Sequence, residues 1–364
     1  MMLNYLYYFS AGLLLLILTI VLIIITYHLL YKRRNKIFEH KKEEWENILF
    51  QYLNHDLNLE ETAAAMNDSY FYLYDFLKPY LKNLKGDDFE QLRELVQKNK
   101  MVDFFLEKLR KGSREEKIKA AAFLGKIREK RAIPLLKRYL NSEDKNLMTA
   151  SIWAIADIGK KDLFFPVLKT VLHESSFTFE ALTEILIRFG EGNCYQIKDF
   201  LEVNFCEENN LEEVLGVPEY QSLSLFFDIF GYFRFIPGVE IMVSTLDADY
   251  NEEVLIHIFK ALVKIEYPIA KDLKPFLEHQ SWVVRSQTAR YLAEIKDVNY
   301  LAELKELIND QNWWVRYYSA LAIFELGKKD LLIELVKNKE PGYEMGRYIL
   351  DQVGNLRVGE VEGG

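Results

Sequence analysis

The sequence predicts an all-α chain: an α-solenoid (superhelix) of antiparallel helix pairs preceded by a single transmembrane helix. Three observations carry this prediction. One residue pattern recurs at intervals near 31 across most of the chain. Gly (17) and Pro (8) are too sparse in 364 residues for the many turns of a β-sandwich or barrel. The first 31 residues are uncharged and contain a twenty-residue apolar run. Half of all residues are hydrophobic and 28% are charged, the composition of a folded protein.

The apolar run is "AGLLLLILTIVLIIITYHLL", residues 11–30. At about 1.5 Å rise per residue it spans the roughly 30 Å hydrocarbon core of a bilayer. Its polar side chains are Thr19, Thr26 and His28. A hydroxyl can bond back to the helix backbone, and His28 lies at the interface. Tyr5, Tyr7 and Tyr8 flank one end and Tyr27 and Tyr31 the other, as in an aromatic belt. A cleaved secretory signal is disfavoured. No Lys or Arg precedes the run, the run is too long, and no small-x-small site follows. Lys32, Arg33, Arg34 and Lys36 follow instead. Positive charge stays inside, so residues 1–31 are expected to anchor the chain in the cell (inner) membrane, single-pass, with the N-terminus outside and the body cytoplasmic.

Residues 32–54 read as a basic juxtamembrane segment and amphipathic linker. Trp45, Ile48, Leu49, Tyr52 and Leu53 fall on one helical face, and Lys41 and Lys42 can reach anionic headgroups. Residues 55–98 read as a helical N-terminal cap. Asn58 with Glu61 has the spacing of a capping box, and Pro79 marks a kink or a new helix start.

Residues 99–338 carry the repeat: a slot residue followed by apolar or small residues at +4, +7 and +10. The slots are Lys117, Met148, Phe179, Tyr220, Leu255, Arg285 and Arg316, at intervals of 31, 31, 41, 35, 30 and 31. A second helix follows about seventeen residues after each slot, as in 132–140, 162–172 and 299–308. Pro134, Pro166 and Pro237 stand where such helices begin. Gly159, Gly190, Gly231 and Gly327 stand where C-cap glycines belong. One helix pair cannot bury its apolar stripe alone; stacking neighbours makes a continuous core. Residues 339–364 read as a C-terminal cap helix and a disordered tail, "VGEVEGG".

"WVVRSQTARYLAEI" and "WWVRYYSALAIFELG" resemble HEAT repeats, in particular the short type also found in phycobilisome lyases. The resemblance covers about residues 99–338 and is best in the last two units. The family's Arg is matched by Arg285 and Arg316, with Lys117 a partial match, and its turn Asp by Asp310. The resemblance implies an α-solenoid whose slot helices line a concave, protein-binding side.

Several functions are disfavoured. The formal net charge is −9. Residues 32–42 carry six Lys/Arg and one Glu, so residues 43–364 carry −14. That is a poor surface for phosphate, and no nucleic-acid partner is expected. Cys194 and Cys206 form no C-x-x-C pair, and six His with one His–Glu dipeptide, His173–Glu174, supply no metal-ligand spacing. Deoxyhypusine hydroxylases, which resemble this fold, hold iron with several such pairs. With no P-loop, G-x-S-x-G or G-x-G-x-x-G, the chain reads as no enzyme, with no metal, cofactor or catalytic residue.

The densest aromatic-plus-Arg cluster is Trp282, Arg285, Arg290, Trp313, Trp314, Arg316 and Tyr317. Trp, Tyr and Arg dominate interface hot spots, so these are the candidate partner-binding residues. For the two Args and Trp282 a structural role is the competing reading. Trp313 and Trp314 are adjacent, so one of them is expected to face out. "FFDIFGYFRF" (226–235) reads as core. The long interval holds "CEENNLEEVLG" (206–216), which reads as a solvated acidic turn. The expected function is a membrane-tethered cytoplasmic scaffold binding a membrane-bound or membrane-recruited protein. One alternative is an accessory subunit of a membrane enzyme complex, for example in envelope polysaccharide synthesis or transport, which would need a specific transmembrane segment. Another is a bilin-lyase-like enzyme, which would need to bind bilin.

Overall fold

The computed structural model describes residues 2–67, 69–206, 211–247 and 251–353, and every described element is helical. The tail "VGEVEGG", with Glu207 and Glu208, lies outside the described residues. The chain divides into two compact units, Met1–Ala154 and Ile155–Gly364.

The first unit is built from α1 (Met2–Leu53), α2 (Leu59–Ala65), α3 (Tyr70–Asn83), α4 (Gly86–Lys98), α5 (Met101–Lys111), α6 (Arg114–Lys126), α7 (Ile133–Tyr139) and most of α8 (Lys145–Ile158). α1 runs without a break through the apolar stretch and the basic stretch. Its segment Gly12–Leu29 is long and apolar enough to cross a membrane, and none of it is buried against the rest of the protein. Thr19 and Thr26 donate their hydroxyls to Leu15 O and Leu22 O, each at 2.7 Å, so neither threonine leaves its hydroxyl unbonded in the run. The last turns of α1 belong to the folded body: Trp45, Leu49 and Tyr52 are buried, Trp45 against Phe76, and the Tyr80 hydroxyl donates to Glu46 at 3.0 Å. Pro79 lies inside α3, which continues past it. Asn58 caps α2 by accepting from Glu61 N at 2.9 Å, without the return bond of a full capping box. The full box is at Ser113 and Glu116, which start α6.

The second unit contains α9 (Phe164–Leu172), α10 (Phe179–Ile187), α11 (Gly192–Cys206), α12 (Leu211–Leu215), α13 (Glu219–Tyr232), α14 (Val239–Thr245), α15 (Glu252–Ile265), α16 (Lys274–Leu277), α17 (Trp282–Ile295), α18 (Leu301–Leu307), α19 (Trp313–Glu325), α20 (Lys329–Asn338) and α21 (Tyr343–Gln352). The slot helices α13, α15, α17 and α19 pack on one another in series, and α21 closes the series on α19. Their core is the repeat itself: Phe259, Leu262, Ala289, Leu292, Ala320 and Ile323 are all fully buried. Short 3-10 turns, among them Lys161–Leu163 and Val298–Tyr300, precede several second helices and take up the first part of the expected spans.

Three expectations need correction. The first concerns register. A left-handed residue stands eleven positions after every other slot: Arg128, Gly159, Gly190, Glu266, Lys296 and Gly327. After α13 that residue is Arg234, which makes Leu223 the slot rather than Tyr220. The intervals there become 44 and 32 instead of 41 and 35. A shift of three residues keeps nearly the same helical face, so periodicity alone does not separate the two registers.

The second concerns Gly231. It is not a C-cap: it lies buried within α13. A Cβ there would stand 2.8 Å from Ala261 Cα and 3.1 Å from Ala261 Cβ on α15. Gly125 of α6 occupies the same repeat position, and its Cβ would stand 2.5 Å from Ala154 Cα on α8. These two glycines let neighbouring slot helices approach closely, while Gly159, Gly190 and Gly327 do have the left-handed φ of a C-cap.

The third concerns the long interval. Much of it is helix: α11, at 15 residues, is longer than the other second helices, and α12 buries Leu211 and Leu215. Glu212 and Glu213 lie on the exposed face of α12. The stretch 226–235 is core, with Phe226, Phe227, Phe230 and Phe235 buried.

Candidate protein-binding groove

The site is built on the first turns of α19. Asn312 caps this helix, accepting from Trp314 N at 2.9 Å. The cap places Trp313 and Trp314 at the helix start, where no preceding turn covers them. Both are exposed, at 40% and 47%. The expectation that just one of them faces out is therefore corrected. Adjacent residues point about 100° apart on a helix, and each Trp leans on a different neighbour one turn on. Trp313 stacks on Tyr317, with centroids 5.2 Å apart and planes at 12°. Trp314 stacks on Tyr318 at 6.0 Å and 25°. The two indoles meet edge to face at 4.8 Å.

Two other helices complete the groove. Arg290 of α17 places its guanidinium 5.6 Å from the Tyr318 ring centroid. Tyr348 of α21 packs its ring edgewise on Trp313 at 6.0 Å and is 44% exposed. Together with Glu294, Lys296, Leu321 and Glu325 these residues line a groove of about 680 Å³. Lys296 and Glu325 pair across it at 3.8 Å, so its charge is balanced. Its contact chemistry is aromatic: flat faces for apolar or planar groups, with hydroxyl and indole N–H groups as donors at the edges.

Of the residues singled out from the sequence, Arg290, Trp313, Trp314 and Tyr317 come together here; Trp282, Arg285 and Arg316 do not line the groove. Trp282 occupies the same repeat position on α17 as Trp313 on α19 and is 41% exposed. The guanidinium groups of Arg285 and Arg316 are engaged inside the fold. Arg285 donates to both carboxylate oxygens of Asp310, at 2.8 and 3.0 Å, and to His279 O and Gln280 O. Arg316 donates to Asp310 O and Gln311 O at 2.8 and 3.0 Å. Each slot Arg thus satisfies the carbonyls five and six residues before it, in the turn that enters its helix. In the first unit Arg114 and Asp144 make the same kind of double pair. Arg114 lies three residues before its slot, so a search at slot positions misses it. Its guanidinium holds the half-buried Asp144 carboxyl below the usual carboxylate range.

Tyr318 and Tyr348 were missed in the sequence. Tyr318 was readable as the residue four after Trp314. Tyr348 belongs to the C-terminal helix, and only packing of α21 on α19 brings it to the groove. Among the described residues no three His, Cys, Asp or Glu side chains gather where they would hold a metal ion.

Residues 102–184 and 270–344 match the HEAT repeat family model. The HEAT repeats thus occupy two regions, separated by the stretch containing α11 and the irregular interval. No curated protein matches the chain. Among solved structures, the crystal structure of an engineered protein from the Northeast Structural Genomics Consortium is 14% identical. That match covers 84% of this chain and 97% of the other, with a TM-score of 0.35.

Proposed function

We propose that the chain is a membrane-tethered cytoplasmic scaffold that binds a protein partner through the groove between α17, α19 and α21. The observation that carries this reading is the exposure, in one groove, of Trp313 and Trp314 at 40% and 47%, stacked on Tyr317 and Tyr318. Large amphipathic rings left in water raise the free energy of the isolated protein, and a partner surface that covers them recovers it. The anchor supports the reading through concentration: a scaffold confined to the membrane surface meets other membrane-bound proteins at high effective concentration.

The test is affinity purification of the full chain in mild detergent after crosslinking, compared with a Trp313→Ala, Trp314→Ala variant. Arg316 is left intact, because its guanidinium holds the turn before α19. Loss of a co-purifying protein from the variant, with circular dichroism unchanged, supports the reading. The same proteins recovered with both chains would refute the groove as the binding surface. Residues 1–31 are tested separately, by carbonate extraction and by protease access from each side of the membrane.

A further inference from the structure

We propose that the groove takes an acidic segment of its partner, with apolar side chains on the aromatic faces of α19 and carboxylates on a row of Arg and Lys that crosses α17 and α15. The proposal rests on the reading of this groove as the protein-binding surface and adds the chemistry of what binds.

The repeat carries the row. Two positions of each slot helix line the groove, five and nine residues after the slot: Arg290 and Glu294 on α17, Leu321 and Glu325 on α19. The same positions on α15 are Lys260 and Lys264. Helix α15 packs on α17 as α17 packs on α19, so the two lysines continue the groove wall by one helix. The crossings share a register, in which the fifth position of one slot helix meets the second position of the next. Asp228 of α13 meets His257 of α15 at 2.8 Å, and Arg290 of α17 lies over the Tyr318 ring of α19. That register sets Lys260 at the level of Gln287, on the same surface as Arg290.

Charge names the partner. Lys260, Lys264 and Arg290 make no ion pair among the described residues. The neighbouring carboxylates are mostly taken: Asp228 is bonded to His257 and Glu325 pairs with Lys296, which leaves Glu294. Three free cations against one free carboxylate make this strip positive, in a unit whose residues 155–364 carry 21 Lys/Arg and 35 Asp/Glu, a net −14. A cationic strip beside exposed aromatic faces is completed by carboxylates next to apolar anchors.

Reach and screening set the size of the segment. Packed helices stand about 8–10 Å apart, so the path from α19 to α15 is roughly 16–20 Å. An extended chain at about 3.3 Å per residue covers it in about six residues. At physiological ionic strength the screening length is about 8 Å, so a segment this short responds to the adjacent cations and little to the distant acids. A long polyanion such as nucleic acid meets the whole acidic unit and is repelled.

The test selects from a random dodecapeptide phage library on the full chain in mild detergent, counter-selecting on the Trp313→Ala, Trp314→Ala variant. Enriched peptides are then synthesised with a fluorophore and titrated by anisotropy. The expected peptides join large apolar side chains to two or more Asp or Glu within about six residues. Their affinity should fall about tenfold in a Lys260→Gln, Lys264→Gln, Arg290→Gln variant, and less than about twofold in a Lys169→Gln, Lys305→Gln, Lys329→Gln variant of the same net charge. Enriched peptides that are neutral or basic would overturn the proposal and leave the groove standing as a binding surface. Acidic peptides that bind both triple variants equally would overturn the cationic row. Affinity that rises about tenfold on deletion of residues 354–364 would overturn a separate partner in favour of the chain's own segment. No enrichment over the tryptophan variant would overturn the groove reading, and this proposal with it.

Discussion

Gly231→Ala tests whether close approach of the slot helices holds the second unit together. Taken alone, α13 would gain about 1 kcal/mol, because Ala is the better helix former. Against this stands a new Cβ at 2.8 Å from Ala261 Cα, a backbone atom that cannot rotate away, and at 3.1 Å from Ala261 Cβ. Carbon atoms rest about 3.5–4.0 Å apart, so α13 and α15 must separate by roughly 0.5–1 Å, and a gap of that size forfeits a quarter to a half of each contact between them. Overpacking of this kind costs about 1–3 kcal/mol, and backbone contact puts it at the upper end. The net expectation is a loss of about 2 kcal/mol. For a unit of this size that lowers Tm by about 4–8 °C. The assay is thermal unfolding of the detergent-solubilised chain by far-UV circular dichroism. An unchanged or raised Tm would mean that helix propensity outweighs packing and that the glycine is not needed for the approach.

Three further outcomes are expected. Tyr291→Phe removes a buried hydroxyl that donates to Tyr267 O at 2.6 Å and accepts from Ile269 N at 3.1 Å; urea melts should show a loss of about 1–3 kcal/mol, because two loop groups lose their partner. Arg285→Ala should destabilise by about 2 kcal/mol, since it strips the charged partner from the 9%-exposed Asp310 side chain and leaves it only the bond from Asn312 N, and Arg285→Lys should recover only part because the paired guanidinium bonds are lost; equal melts for all three proteins would refute the structural role. Burial pushes the Cys194 thiol up to about 12, so in a Cys206→Ser background the folded chain should resist alkylation at pH 8. The folded pKa is raised, so this group's stabilisation is fully present below the unfolded thiol's pKa of about 8.5 and is lost as pH rises toward 12. Rapid labelling under native conditions would contradict the burial.

The parts legible in the sequence share one property: they depend on neighbours close along the chain. The helical class, most slot positions and the left-handed glycines at 159, 190 and 327 were readable from spacing. So was the helical face of Trp45, Leu49 and Tyr52. The errors arose where one spacing serves two purposes. Gly231 looks like a cap because it follows an apolar face, yet it marks a close crossing of two helices. Tyr220 looks like a slot because three residues nearly complete a turn. At the candidate site, the residue types were visible but not their division of labour. Arg285 and Arg316 donate to turn carbonyls and Asp310, while Trp313, Trp314, Tyr317 and Arg290 line the groove.

The sequence by itself determined that this chain is helical, that its helices repeat, and that one apolar helix leads into a basic stretch and then an acidic body. Periodicity and charge are properties of local order, and local order is written directly in the chain. The tertiary structure decided which side chains share a space. It brought Tyr348 of α21 onto Trp313 of α19, and it laid the amino groups of Lys108 and Lys119 over the Phe71 ring of α3. Those meetings depend on how far and at what angle helices pack, which is settled by ring shape and by small residues such as Gly231 and Ala261 at the crossings.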